Sequence, residues 1–101
     1  MKTTIQEISG KTRVTVQGEL DTISSAAFQK NIAPLMEKEG LDVELNLEKL
    51  EYISSKALRV IVSFQQAVLA NHGSFCITEV SDPVREVLDM TGLSKSFLKL
   101  S

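Results

Sequence analysis

Residues 51–59 have the sequence EYISSKALR, in which two adjacent serines stand between a strand-like run and the start of a helix. Either Ser54 or Ser55 is expected to begin this helix, which runs to about Asn71, where His72-Gly73 ends it. At about 100° per residue its apolar residues cover an arc of about 220°, whereas a surface helix needs a stripe only a little wider than about 100°. The helix therefore packs on two sides or presents an apolar flank to a partner.

Short alternating runs on both sides of this helix predict β-strands. Residues 43–47 and 74–80 flank it, and residues 5–8 and 13–17 form two further runs near the start of the sequence. Between these last two, Ser9-Gly10-Lys11 is a turn signal. The first two strands are therefore expected to form an antiparallel hairpin.

A further helix is expected after the hairpin, with Asp21 or Thr22 as its N-cap. Apolar residues at positions 28, 32, 35 and 36 give it one continuous stripe. Pro34 lies inside this stripe and lacks a backbone donor, so it should kink or split the helix. Gly40 is expected to end it.

The last helix is expected to open with Asp82 as a cap and Pro83 at the first helical position. Thr91-Gly92-Leu93 should end it, and residues 97–100 suggest a final short strand or a docked tail. The order β-β-α-β-α-β-α predicts an α/β fold with a mixed sheet of four to five strands, an N-terminal antiparallel hairpin and about three to four covering helices. We expect one domain over residues 1–101.

Composition excludes several classes of protein. Hydrophobic residues make up 43% and charged residues 24% of the 101 residues, which is typical of a globular domain. The net charge of −2 gives neither the basic surface of a nucleic-acid-binding protein nor a polybasic membrane patch. One cysteine and one histidine allow no internal disulfide and are too few for the usual zinc sites. Without an apolar run of about 20 residues or a signal-peptide core, we expect a cytoplasmic protein with no membrane span, metal or cofactor.

The sequence shows no pattern typical of an enzyme. His72 is expected to finish a helix, Cys76 to be a small buried residue, and the scattered glycines form no phosphate-binding loop. A small-molecule sensor or enzyme that uses His72 or Cys76 is the least favoured interpretation.

The two adjacent serines, Ser54 and Ser55, are more informative about function. From the residues alone, the favoured interpretation is that the pair only caps the helix, with Ser54 accepting from a first-turn N–H. The alternative is that one hydroxyl caps and the other is a phosphoryl acceptor near free N–H groups, with Arg59 four residues after Ser55 on the same strip.

Four motifs, in this order and at this spacing, resemble those of the STAS domain, the fold of bacterial anti-sigma factor antagonists. GELD at residues 18–21 is similar to the motif after the family's second strand, and LNLEKLEYI at 45–53 resembles its central strand and the approach to its signature loop. ISSKAL at 53–58 resembles the loop IDSSGL or its variant ISSAGL. VREVLDMTGL at 84–93 resembles the closing motif. The resemblance covers nearly the whole chain.

The resemblance also implies functional residues. The family's phosphorylated serine falls on Ser55, and the aspartate before it falls on Ser54, which is the less favoured acceptor. The family's second serine and its glycine fall on Lys56 and Ala57. The expected partner-binding residues are Asp21, Ser54, Ser55, Lys56, Ala57 and Arg59.

The family's activity implies a partner-switching role. Its unphosphorylated domain binds a serine kinase of the histidine-kinase-like ATPase type that doubles as an anti-sigma factor, and binding frees the sigma factor. Phosphorylation dissociates the complex, and a PP2C-type phosphatase resets it. The expected function is therefore that of a phosphorylation-controlled anti-sigma factor antagonist, not an enzyme. Lys56 and the missing aspartate favour an alternative, a non-phosphorylated STAS scaffold subunit of a signalling or transporter complex.

Overall fold

The computed structural model describes residues 1–91 of the 101-residue chain. The elements in this part are β1 (Lys2–Ile8), β2 (Lys11–Leu20), α1 (Thr22–Met36), β3 (Asp42–Leu47), β4 (Leu50–Ile53), α2 (Ser55–Ala70), β5 (Ser74–Val80) and α3 (Asp82–Thr91). The expected helix stop at Gly92 and the expected strand or tail at residues 97–100 lie outside the described residues.

The five strands form one mixed sheet in the order β1-β2-β3-β5, with β4 paired to β2. β1 and β2 are antiparallel, and Ile8 pairs with Lys11 across a two-residue turn. Ser9 and Gly10 in this turn have positive φ angles of 51° and 81°, a conformation whose twist matches that of the flanking strands. The other strand pairs are parallel. The predicted mixed sheet with an N-terminal hairpin is confirmed.

The core lies between one face of the sheet and the helices. Val14, Leu45 and Ile77 are register neighbours on β2, β3 and β5, and all three are fully buried. α2 packs against both α1 and β5, where the rings of Phe64 and Phe75 meet edge to face with centroids 5.3 Å apart. The wide apolar arc of α2 is therefore used mainly for packing on two sides within the domain.

α1 is not split at Pro34 but continues through it to Met36. The carbonyl of Lys30 loses its helical donor there, but both Pro34 and Lys30 are exposed, so water can take that hydrogen bond. The expectation that Gly40 ends the helix was wrong. Gly40 lies in the following loop with a φ of 67°, and its N–H donates to the carbonyl oxygen of Asn71 at 2.8 Å.

β4 lies in the strand-like run before α2, which was not among the strands predicted at residues 5–8, 13–17, 43–47 and 74–80. Leu50 and Ile53 are the buried residues of this four-residue strand, and the two between them are exposed. The alternation of apolar and polar positions that marks a half-buried strand is therefore absent. Pairing with β2, rather than local pattern, defines this element.

α3 begins one residue earlier than expected. The carbonyl oxygen of Ser81 accepts a helical hydrogen bond from Arg85 N at 2.8 Å, so the helix includes Asp82 and places Pro83 second. A proline is tolerated there because first-turn N–H groups have no helical partner. Val84 and Leu88 of this helix are fully buried in the core, and Val87 packs against it.

Candidate functional site

The carboxyl ends of the parallel strands β2, β4 and β5 lie at one edge of the sheet, and a helix follows each of them. Ser54 N donates to Leu20 O at 2.9 Å and joins the start of α2 to the end of β2. Ser81 N donates to Leu47 O at 3.2 Å, and its hydroxyl donates to Leu50 O. The N-termini of the three described helices therefore meet at this edge. We name the region formed by residues 19–24, 52–59 and 81–82 the carboxyl edge.

Gly18 brings β2 to this edge. The register between β2 and β4 shifts between Gly18 and Glu19, and Gly18 has a φ of 90°, which favours glycine. Its N–H donates to Lys49 O at 3.0 Å. Beyond the bulge, Leu20 pairs with Ile53 and both are buried. The glycine of the GELD motif thus has a structural role, because it redirects β2 toward the strand that leads into α2.

Asp21 caps α1 in a reciprocal capping box with Ser24. Its carboxylate accepts from Ser24 N at 2.8 Å, and its own N–H donates to Ser24 Oγ at 2.9 Å. The Ser24 hydroxyl also lies 2.8 Å from the carboxylate. These hydrogen bonds, that of the backbone N–H first, hold the pKa of Asp21 below its ordinary value. The carboxylate is thereby fixed at the start of α1.

The two serines of the signature loop have different environments. Ser54 is the N-cap of α2: its hydroxyl accepts from Ala57 N at 3.1 Å, and the residue is only 6% exposed. Ser55 is the first helical residue and is exposed. Its hydroxyl has no hydrogen-bond partner among residues 1–91. One hydroxyl therefore holds the helix, and the other is available to solvent.

The remaining predicted site residues in α2 are likewise either exposed or buried. Lys56 and Arg59 are exposed, and neither forms an ion pair with any residue from 1 to 91. Ala57 is fully buried, so it serves the site through its backbone N–H and not through its side chain. The structure thus brings Asp21, the two serines and the two cations to one edge, but it covers Ala57 and most of Ser54.

Two exposed apolar side chains at the carboxyl edge were not anticipated. Ile23 in the first turn of α1 is 86% exposed, and Tyr52 in β4 is 51% exposed. A signal for Ile23 was present in the sequence, because Ile32 lies nine positions after it, a spacing that places Ile23 about 180° from the buried stripe. For Tyr52 the signal was hidden, since β4 itself was missed.

His72 and Cys76 lie away from this edge. His72 follows the C-terminal end of α2 with a φ of 65°, and its N–H donates to Leu69 O at 3.2 Å as part of the helix stop. Cys76 is half-buried near the start of β5, with its Sγ 3.8 Å from Val43 O. Neither side chain is brought to Ser55.

Two other kinds of functional feature, a metal site and a membrane-spanning helix, are not found within residues 1–91. Within residues 1–91, no three or more His, Cys, Asp or Glu side chains are grouped to hold a metal ion. None of the helices in this part of the chain is long and apolar enough to cross a membrane.

A family model of the STAS domain matches residues 2–101. The chain belongs to the STAS domain family. Among curated relatives of this STAS domain is the anti-sigma-B factor antagonist of Bacillus subtilis. It is 30% identical over 81 residues, which cover 80% of this chain and 73% of that protein.

Solved structures show the same fold. An anti-sigma factor antagonist from Mycobacterium paratuberculosis superposes with a TM-score of 0.85 at 22% identity, over 98% of this chain and 83% of that chain. The anti-sigma factor antagonist SpoIIAA superposes with a TM-score of 0.82 at 17% identity in its unphosphorylated form, over 99% of this chain and 88% of that one. The phosphorylated form of SpoIIAA, from Bacillus, gives 0.76 at 16% identity, over 99% and 91%. At these identities the likeness confirms the predicted STAS fold.

Proposed function

We propose that this STAS domain is an anti-sigma factor antagonist controlled by phosphorylation of Ser55. The unphosphorylated domain binds a serine kinase of the histidine-kinase-like ATPase type that doubles as an anti-sigma factor. Phosphorylation releases the partner, and a PP2C-type phosphatase restores binding. The relationship to the anti-sigma-B factor antagonist of Bacillus subtilis supports this role.

The observation that carries the proposal is the contrast between the two serines. A kinase needs an accessible hydroxyl, and Ser55 offers one without losing an existing hydrogen bond. Phosphorylation of Ser54 would instead disrupt the hydrogen bond by which its hydroxyl caps Ala57 N. Ser54 is only 6% exposed, so its side chain would also have to move out of the protein to reach the kinase. Accessibility and helix stability therefore both favour Ser55 as the acceptor.

The domain itself can accommodate a phosphate at this position. In the transfer, the Oγ of Ser55 bonds to the γ-phosphorus of ATP, ADP leaves, and the hydroxyl proton passes to the kinase. The first-turn N–H groups of Ser55 and Lys56 have no helical partner, and the N-terminal end of α2 favours negative charge by about 0.3–1 kcal/mol. Arg59, one turn later, can pair with the phosphate. Phosphorylation should therefore leave the domain folded.

Partner binding responds differently to the same group. The phosphate carries about −1.5 to −2 charges at neutral pH, and inside a protein interface these charges lose water and repel partner carboxylates. Each loss of about 1.4 kcal/mol lowers affinity tenfold. A folded but non-binding phosphoprotein is the physical basis of the proposed switch.

The test uses aspartate as a mimic of the phosphate. The affinity of Ser55→Asp for candidate kinases encoded near the gene is compared by calorimetry with that of the parent and of Ser63→Asp. Ser63 is an exposed serine on the same helix and is the matched control. We expect Ser55→Asp to bind at least about tenfold more weakly, and Ser63→Asp to bind as the parent does. Equal binding by all three proteins would contradict the switch.

The scaffold alternative makes the opposite prediction. An exposed Lys56 beside Ser55 is the feature that favours it, because this cation lies where the positive end of the helix is unfavourable for it. A scaffold subunit forms a complex that ATP does not alter. Retention of the partner with and without ATP on an immobilised domain separates the two roles.

A further inference from the structure

β1 is an edge strand whose outer side has no pairing partner in the part of the chain that the structure describes. It pairs only with β2, in an unbroken antiparallel register from Lys2 to Ile8. Natural edge strands are protected by short length, bulges, proline, charges or a covering element, because a regular edge pairs readily with another strand. β1 has seven residues, no proline and no bulge. Of the usual protections it has only the charges of Lys2 and Glu7, near its two ends.

Two partly exposed isoleucines lie on this strand. Ile5 is 41% and Ile8 is 40% exposed. Ile5 pairs with Val14, which is fully buried, so Ile5 lies on the face of the sheet that carries the helices. β1 has its extensive contacts with β2 alone. Ile5 therefore lacks the cover that one more strand beside β1 would give it.

We propose that β1 pairs with β1 of a second copy of the chain, antiparallel and about a two-fold axis at Ile5, so that the two sheets become one. Directly opposite residues of an antiparallel pair lie on the same face of the sheet, and a two-fold dimer interface is self-complementary. The register that pairs all of Lys2–Ile8 places Ile5 opposite Ile5 and Lys2 opposite Ile8. The two copies of Ile5 then cover each other. This inference does not depend on the proposed function.

The charges of β1 favour a second copy in this orientation. Lys2 and Glu7 form no ion pair within residues 1–91. In the pair, Lys2 of one copy lies one position from Glu7 of the other, with their Cα atoms about 6 Å apart, which is inside the Debye length of about 8 Å. Like charges of the two strands are more than about 13 Å apart. Lys11, opposite Ile8 on β2, is already paired, with its Nζ 3.2 Å from Glu44 Oε1.

The proposed pairing leaves the carboxyl edge of each copy free. The axis at Ile5 is level with Val14, and the end of β2 at Leu20 lies about 20 Å further along the strand. Because the two copies of β2 run in opposite directions, their carboxyl edges lie at opposite ends of the joined sheet. Ser55 of each copy stays accessible, so dimer formation and phosphorylation are separate properties.

Cysteine cross-linking tests the register. In a Cys76→Ser background, Ile5→Cys should form a disulfide-linked dimer on mild oxidation, because opposite Cα atoms of antiparallel strands are about 4.5–5.5 Å apart. Ile8→Cys is the matched control, with nearly the same exposure of residue 8, but its two copies would be about 20 Å apart. Ile8→Cys should remain monomeric by itself and form a mixed disulfide with Lys2→Cys.

Sedimentation velocity of the full chain over a range of concentrations tests the dimer without a cross-link. The parent should form a reversible dimer. Ile5→Lys should weaken this dimer at least about tenfold, because two like charges then lie opposite each other at the axis. Leu69→Lys is the control, since Leu69 is an exposed apolar residue of α2. It should dimerise as the parent does.

Three results would overturn the inference. The first is a parent that remains monomeric at every concentration, with no cross-linked dimer of Ile5→Cys. The second is equal cross-linking of Ile5→Cys and Ile8→Cys, because the proposed register brings only the first pair together. The third is a parent dimer that Ile5→Lys leaves intact, which would place the interface elsewhere on the domain.

Discussion

The backbone N–H of Ser54 donates to the carbonyl oxygen of Leu20 at 2.9 Å, so the residue that caps α2 is fastened to the end of β2. Asp21, the cap of α1, is the next residue after Leu20. One hydrogen bond thus places two helix N-termini side by side. The exposed Ser55 is held on this rigid support, because the residues on either side of it in the chain, Ser54 and Lys56, belong to a capped helix start.

Removal of the Ser54 hydroxyl should destabilise the domain, whereas removal of the Ser55 hydroxyl should not. Ser54→Ala leaves Ala57 N without its partner, and loss of an N-cap costs about 1 kcal/mol, within a range of about 0.5–2 kcal/mol. Ser55→Ala breaks no hydrogen bond among the described residues and should change the free energy of unfolding by less than about 0.5 kcal/mol. Urea titration of both variants measures the difference. Equal unfolding free energies would show that the two serines do not divide their roles as described.

Replacement of Gly73 by any residue with a Cβ should destabilise the domain. A Cβ there would lie 2.4 Å from Leu41 O and 2.8 Å from Val68 Cγ1, so Gly73→Ala and Gly73→Asn should each cost about 1–3 kcal/mol of unfolding free energy. Gly40 is the control, because it has a positive φ of 67° but a Cβ added there would meet no atom within 4 Å. Asparagine tolerates that φ better than alanine, so Gly40→Asn should be more stable than Gly40→Ala. A comparable advantage for asparagine at position 73 would argue against the steric explanation.

Replacement of His72 by glycine should stabilise the domain. His72 has a φ of 65° at the helix stop, a conformation that costs a non-glycine residue roughly 1–2 kcal/mol. Glycine would remove this cost, but part of the gain in stability is lost because glycine gives the unfolded chain more conformational freedom. The expected net gain is about 0.5–1 kcal/mol in thermal or urea unfolding, and His72→Ala should show none. Lower stability of His72→Gly would indicate that the imidazole contributes more than the backbone strain removes.

Asp21 should make stability depend on pH in the acid range. Its pKa in the folded domain is lowered by the N–H and hydroxyl of Ser24, so the ionised form stabilises the fold. This contribution is fully present above the unfolded pKa of about 3.9 and is lost as the pH falls through the lower folded pKa. Asp21→Asn keeps a capping oxygen but has no such titration, so its stability should fall less than that of the parent on acidification. Parallel pH profiles of the two proteins would contradict this assignment.

Most of the fold follows from local patterns in the sequence, and the exceptions depend on tertiary contacts. α2 and its stop at residues 71–73 could be predicted because apolar spacing, a serine cap and a glycine agree. β4 could not, since Leu50 and Ile53 are its buried residues and its pairing depends on the bulge at Gly18. Pro34 indicated a kink or break that α1 does not show. The carbonyl of Lys30, which loses its helical donor there, is in an exposed residue, so water can replace the missing hydrogen bond.

The candidate site could be predicted as a set of residues but not as an arrangement. The sequence indicated that one of the two serines caps the helix, with Ser54 favoured, but it did not show which side chain is exposed. The 6% exposure of Ser54 in the structure identifies Ser54 as the buried capping residue. The burial of Ala57 and the exposure of Ile23 and Tyr52 depend on how α1 and β4 meet beside α2. Side-chain type alone does not report these contacts.

The measurement that tests the central claim most directly is mass spectrometry of the intact chain after incubation with ATP and a candidate kinase that binds it. The account predicts one phosphate on the parent protein, mapped to Ser55 by peptide sequencing, one phosphate on Ser63→Ala, and none on Ser55→Ala. An unmodified parent, or a phosphate that Ser55→Ala still acquires at the same rate, would contradict the account.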